Sequence, residues 1–127
     1  PGEAARLLGL TVQQIQSDRL QAVLTLQKQW GGVIALKGAG TLVATATEPV
    51  QQCLAGNPGM ASAGMGDLLS GMMAGFVAQG LDACKAAHLG VMLHAEAGDR
   101  VAMKQGVRGM LASDLLSELP ALVNETS

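Results

Sequence analysis

The stretch GNPGMASAGMGDLLSGMMAGF, residues 56–76, runs from a glycine-studded segment into an almost unbroken apolar run, with a single acidic residue, Asp67, at the junction. Between Gly56 and Gly66 stand Gly56, Gly59, Gly64 and Gly66 beside Ala61, Ser62 and Ala63, so side chains are nearly absent. Such a loop lets backbone N–H groups converge, and its exit into a helix adds unpaired N–H groups and the positive end of the helix dipole. That pattern predicts an anion site near Ala63, Gly64, Met65 and Gly66. It is neither a P-loop, since GxxxxGK[ST] is missing, nor a dinucleotide fingerprint, since Leu69 stands where the third glycine of GxGxxG belongs. Asp67 therefore has two readings, a plain helix N-cap worth ~1 kcal/mol or a catalytic carboxylate beside the anion. Each glycine in regular structure loses ~0.5–1 kcal/mol more on folding than alanine, and close approach of a ligand explains so many better than a cap does.

Working outward, Leu68 to Gln79 reads as a buried helix, with Gly71 and Gly75 on one face as points of close backbone approach. Asp82 is expected to cap a long helix reaching Met103, whose packing side holds Ala83, Ala86, Ala87, Gly90, Val91 and Leu93. Ser113 or Asp114 would cap a last short helix ending near Pro120. Upstream, Pro1 to Leu8 suits a helix stopped by Gly9, and Thr11 to Gln29 has helical spacing, with Ser17 able to cap a second segment and Trp30-Gly31-Gly32 as its end. Val33 to Leu36, Thr41 to Thr47 and Val50 to Leu54 read as three strands joined by short turns, hence antiparallel, the last at an edge. The order is α/β. Three strands are few for so many apolar helix faces, so another chain or an N-terminal half is expected to complete the sheet.

At 127 residues one core is possible. A net charge of −2 without a basic block argues against nucleic acid, and one Trp, one Phe and no Tyr leave no platform for stacking bases. Cys53 and Cys84 lack CxxC spacing and read as small buried hydrophobes in a reducing, cytoplasmic setting. The start has neither the basic nor the apolar region of a signal peptide. The apolar run Leu68–Ala78 is ~11 residues against the ~20 needed to span a bilayer, so no membrane role is expected. Asn124-Glu125-Thr126 fits the N-glycosylation pattern, a match short enough to arise by chance.

The run GNPGMASAGMGDLLSG, together with PGEAARLL, LKGAGT and ASDLL, resembles the ADP/ATP-dependent NAD(P)H-hydrate dehydratases of the ribokinase-like superfamily. The resemblance covers essentially the whole chain and implies a three-layer αβα fold. Residues 1–127 would be the C-terminal part of a domain about twice as long, its N-terminal half not included. It implies that Lys37, Gly38, Ala39, Gly40 and Thr41 contact the adenine nucleotide, that Gly66 lies against it, and that Asp67 faces hydrated NADH or NADPH as catalytic base. The implied activity is a lyase reaction of metabolite repair, with ADP or ATP as co-substrate and Mg²⁺ as cofactor. A companion epimerase domain is an implied partner, and the apolar helix faces lead to the expectation of a homo-oligomer. Lys37 at a strand end suits a phosphate on its own chemistry, or is simply an exposed turn residue.

His88 and His94, six apart on one helix, cannot share a metal as an i, i+4 pair could, and read as packing or surface residues. The methionines read as gap-fillers. Glu96, Asp99 and Arg100 are expected on a solvated face, and Asp114 at a cap with at most an indirect role. Two alternatives share the anion loop and Asp67: a ribokinase-like kinase acting on a vitamin or sugar, and a noncatalytic nucleotide-binding or assembly module.

Overall fold

The computed structural model describes residues 1–125, so Thr126 of the glycosylation-like triplet lies outside the described residues. The elements are α1 (Gly2–Leu8), α2 (Val12–Ser17), α3 (Arg19–Trp30), β1 (Ile34–Leu36), β2 (Leu42–Ala44), β3 (Gln51–Gln52), a 3₁₀ turn (Pro58–Met60), α4 (Met65–Ala78), α5 (Ala83–Gln105), α6 (Ala112–Leu116) and α7 (Leu119–Glu125). They form two compact units, one over Pro1–Gln52 and one from Cys53 onward.

In the first unit α1 ends as expected on Gly9 in the left-handed conformation. The helical stretch Thr11 to Gln29 is two helices, in keeping with a second segment, but its cap is a different residue. Thr11 and Gln14 close a capping box on α2, and Asp18, not Ser17, accepts from Gln21 N–H to start α3. Asp18 wins because its carboxylate reaches the orphan N–H groups of the new helix, whereas Ser17 Oγ donates back to Gln14 C=O. The three strands form an antiparallel sheet in the order β1-β2-β3, with Ile34 opposite Ala44, Leu36 opposite Leu42 and Val43 opposite Gln51. Helix α3 packs on β1 and β2. Ile15, Val23, Leu26, Leu36, Leu42 and Ala44 make the core between them.

In the second unit α4 and α5 form the main pair, and Phe76, Leu93, Val101, Met110, Leu115 and Leu122 belong to its core. Helix α4 starts at Met65, three residues before the apolar run suggested. It is not buried all round: Ser70, Gly71, Ala74 and Val77 are exposed. Apolar composition gives the capacity for burial and not the number of faces covered. The point of close approach is also different. A Cβ on Gly71 or Gly75 would meet nothing within 4 Å, whereas one on Gly90 would lie 2.8 Å from Met73 Cγ and 3.7 Å from its backbone nitrogen. Glycine is thus needed on α5, where α4 crosses it.

Asp82 caps α5 through Lys85 N–H. The expected small-residue side is buried from Ala86 to Leu93, but Ala83 is exposed. Neither Ser113 nor Asp114 is the N-cap of α6. Asp114 stands inside the helix and its carboxylate accepts from Leu111 N–H at 2.8 Å and Gln105 Nε2 at 3.0 Å. The chain does not stop at Pro120, which sits in the first turn of α7, where its missing N–H is harmless. His94 is buried and His88 half-buried, as packing residues should be, and Cys53 and Cys84 are half-buried, less enclosed than expected. Among the described residues no helix is long and apolar enough to cross a membrane.

The face expected to be solvated carries structural bonds. Arg100 forks onto Glu125 through Nη1–Oε1 at 3.2 Å and Nη2–Oε2 at 2.5 Å, while Lys104 pairs with the buried Glu118 at 2.5 Å. The hydrogen bonds from Arg100 hold the Glu125 carboxyl below its ordinary value. A carboxyl whose folded pKa is depressed contributes above its unfolded pKa and loses that contribution as pH falls through the folded one. The protection of the α7 amides, taken relative to the intrinsic exchange rate at each pH, should therefore fall below about pH 4, and Glu125→Gln should already show the lower protection at pH 7. Thermal melting should separate the glycines. Gly71→Ala and Gly75→Ala each gain roughly 0.5–1 kcal/mol from helix propensity, whereas Gly90→Ala loses roughly 1–3 kcal/mol from overpacking against Met73.

Candidate functional site

The candidate residues fall into two groups, one in each unit. In the first unit Lys37, Gly38, Ala39, Gly40 and Thr41 form the five-residue turn between β1 and β2. The turn closes on itself, since Gly38 N–H reaches Thr41 Oγ1 at 3.3 Å and the hydroxyl donates to Gly38 C=O at 3.2 Å. Gly40 is left-handed (φ 71°), a conformation that favours glycine, and the end of the Gln52 side chain on β3 packs over it. Lys37 is half-exposed, its Nζ 3.9 Å from the carboxylate of Glu3, a contact between side chains largely in water. Its ammonium is available to an anion.

Arg19, on the first turn of α3, holds this turn from beneath. Its guanidinium donates from Nη1 to Ala39 C=O and from Nη2 to Leu36 C=O at 3.2 Å, so one rigid fork spans the strand end and the middle of the turn. Among the described residues the buried Arg19 Nε has no acceptor. The sequence offered no sign of this role, because the contacts join positions 17 and 20 residues apart and leave no periodic trace.

In the second unit Ala63, Gly64, Met65, Gly66 and Asp67 come together at the start of α4. Gly64 (φ 85°) turns the chain into the helix and is its N-cap, and no side chain caps the helix. Asp67 is the third helical residue, so the N-cap reading of it fails. Its side chain is exposed, and among the described residues its carboxylate has no hydrogen-bond or ion-pair partner. Met65 N–H reaches Ser62 C=O at a long 3.4 Å, while the N–H groups of Gly64, Gly66 and Asp67 have no acceptor among the described residues. A left-handed glycine, orphan N–H groups and an uncommitted carboxylate thus share one helix end, where the dipole favours both a bound anion and the ionised form of Asp67.

The loop leading there is fixed in part by Asp99, a residue the sequence reading had assigned to a solvated face. Asp99, on α5, accepts from Gly56 N–H at 3.0 Å and from Asn57 Nδ2 at 2.8 Å. Asn57 Oδ1 accepts from Gly59 N–H at 3.0 Å, and Ser62 Oγ donates to Met110 C=O at 3.1 Å. A Cβ on Gly59 would lie 2.5 Å from Val107 C=O, and one on Gly98 would lie 2.3 Å from Met60 Sδ. The glycines at 59 and 98 let the loop lie directly on its support.

The sequence profile of the NAD(P)H-hydrate dehydratase family matches residues 1–121. The chain is 51% identical over 124 residues to a bifunctional NAD(P)H-hydrate repair enzyme of Coxiella burnetii, covering 98% of this chain and 25% of that protein. It is 41% identical over 116 residues to an ADP-dependent (S)-NAD(P)H-hydrate dehydratase of Neisseria meningitidis, covering 91% of this chain and 39% of that one. Among solved structures it superposes on an ADP/ATP-dependent NAD(P)H-hydrate dehydratase of Bacillus subtilis co-crystallized with ATP and Mg²⁺, with a TM-score of 0.90 and 28% identity over 100% of this chain and 46% of that one. The chain thus spans about a quarter of the bifunctional relatives and somewhat under half of the solved dehydratase. The expected α/β class is met in its ribokinase-like form, and the chain belongs to the NAD(P)H-hydrate dehydratase family.

Proposed function

We propose that this chain is the C-terminal part of a dehydratase domain that restores NADH or NADPH from its C6-hydrated form, using ADP or ATP. The observation that carries the reading is the start of α4, where an uncommitted carboxylate stands beside orphan N–H groups. A structural cap would have engaged those groups.

In this reading the turn Lys37–Thr41 binds the adenine nucleotide, with Lys37 on a phosphate and the glycines admitting the ligand to the backbone. The N–H groups from Ala63 to Gly66 face the transferring phosphoryl, a preorganised charge-stabilising arrangement. Asp67 takes the proton of the ring hydroxyl as its oxygen attacks the terminal phosphorus and the bond to the nucleotide breaks. A base so placed is typically worth ~10²–10⁴ in rate. The C6–O bond then breaks as the ring nitrogen lone pair pushes out phosphate, a far better leaving group than water, and the resulting iminium loses a C5 proton to water to restore the ring double bond. NADH or NADPH, inorganic phosphate and the nucleotide shortened by one phosphate are the products.

Among the described residues the donors in each unit, amide N–H groups at α4 and an ammonium at the β1–β2 turn, suit phosphate and are not accompanied by a carboxylate cage. Mg²⁺ would therefore sit mainly on phosphate oxygens and water, neutralising their charge. The ADP-dependent relative and the solved dehydratase holding ATP and Mg²⁺ support this assignment. NAD(P)H and adenine nucleotides are abundant in the cytoplasm, which supports a cytoplasmic enzyme. A separate epimerase domain in the whole protein is supported by the bifunctional relatives.

In the whole natural chain that carries this sequence, Asp67→Asn should abolish recovery of reduced-nicotinamide absorbance while calorimetry finds ADP bound within about threefold of the parent. Equal loss of both would mark Asp67 as structural, since a general base acts on the reaction and not on nucleotide affinity. Arg19→Lys keeps the charge but cannot span Leu36 and Ala39 with a fork. It should weaken ADP binding about tenfold, or ~1.4 kcal/mol, in the same titration.

A further inference from the structure

We propose that Asp99 is a positioning residue for the reaction, holding the glycine loop so that Asp67 and the orphan N–H groups of α4 meet the transferring phosphoryl. The inference rests on the reading of Asp67 as base.

Asp99 touches neither Asp67 nor the anion end of α4. It acts from the far end of the loop, and both of its oxygens are committed: Oδ2 to Gly56 N–H and Oδ1 to Asn57 Nδ2. Asn57 passes the constraint on, because its own Oδ1 holds Gly59 N–H and starts the 3₁₀ turn Pro58–Met60. Directly beside Asp99 on α5, Gly98 receives the Met60 side chain at distances that leave no room for a methyl group. Helix α5 therefore grips the loop at two consecutive residues, one by hydrogen bonds and one by packing. Ser62 is pinned to Met110 C=O, and two residues later Gly64 turns the chain into α4. An isolated loop so rich in glycine has no stiffness of its own. Its shape comes from these bonds, and the position of Asp67 comes from its shape.

The bond pattern supplies a test by exchange. Asp99→Asn puts an amide NH₂ against one of two donors, Gly56 N–H or Asn57 NH₂, and breaks the chain. The exchange Asp99→Asn with Asn57→Asp rebuilds it: the oxygen of residue 99 accepts from Gly56, its NH₂ donates to one carboxylate oxygen of residue 57, and the other still accepts from Gly59. Net charge is unchanged. A misplacement of about 1 Å near the chemistry costs ~10²-fold.

In the whole natural chain, assayed with hydrated NADH, ADP and Mg²⁺ well below the melting temperature of each variant, Asp99→Asn should lower kcat at least about tenfold. The KM for hydrated NADH should move less than kcat, and the exchanged pair should return kcat to within about threefold of the parent. Should Asp99→Asn fail to fold, Asn57→Ser keeps a hydroxyl for Gly59 N–H but cannot reach Asp99, and the same kcat loss is expected. Parental kcat in Asp99→Asn or Asn57→Ser, or an exchanged pair as slow as Asp99→Asn, overturns the positioning role. Asp67→Asn, run in parallel, separates the two readings. Its retention of turnover removes the base reading and this inference with it, whereas an inactive Asp67→Asn beside a fully active Asp99→Asn removes the positioning role alone.

Discussion

Helix α4 begins without a side chain over its first N–H groups, and most of what surrounds it follows from keeping them that way. A helix end with glycine at its N-cap forgoes only about a few tenths of a kcal/mol and presents a partial positive charge to whatever approaches. To leave it open, the chain must enter through a left-handed glycine, Gly64, instead of the serine, threonine or aspartate that usually starts a helix. The loop before it must stay thin, which glycine achieves by giving up local stiffness. The lost stiffness is then supplied from outside, by Asp99, Gly98 and Met110 O.

The turn between β1 and β2 follows the same logic at smaller scale. Gly38 and Gly40 bring backbone close to any ligand, and Arg19 supplies the rigidity they lack by holding two carbonyls from the neighbouring helix. In both units a flexible, glycine-rich segment is carried by a charged side chain on a well-packed helix. The candidate residues thereby stand on loops whose geometry is set by the scaffold.

What the sequence disclosed was local. Gly9 after an apolar helix, Asp82 before one, and the short apolar runs around Ile34–Leu36 and Leu42–Ala44 each act within a few residues, and the elements formed where expected. The anion-site stretch was legible because its unusual composition is continuous. Errors arose where the outcome depends on a distant partner. Helix α4 is apolar enough to be buried all round, yet which faces are covered depends on what packs there. Gly71 and Gly75 looked like contact points, but Met73 meets Gly90 instead. Asp99 and Arg100 had the spacing of a solvated face, and each is tied to a segment 25 or more residues away. Asp67 stood open between a cap and a catalytic carboxylate, and the cap reading falls because Gly64 had already begun the helix.

Dehydration by way of a phosphorylated intermediate differs from simple phosphorylation in its products, and that difference is the most direct test. Hydrated NADH would be mixed with ADP, Mg²⁺ and the whole natural chain, following reduced-nicotinamide absorbance and free phosphate together. The account predicts one phosphate released for each NADH recovered. A stable phosphoester accumulating without recovery of absorbance would contradict it and identify the anion loop and Asp67 as parts of a kinase.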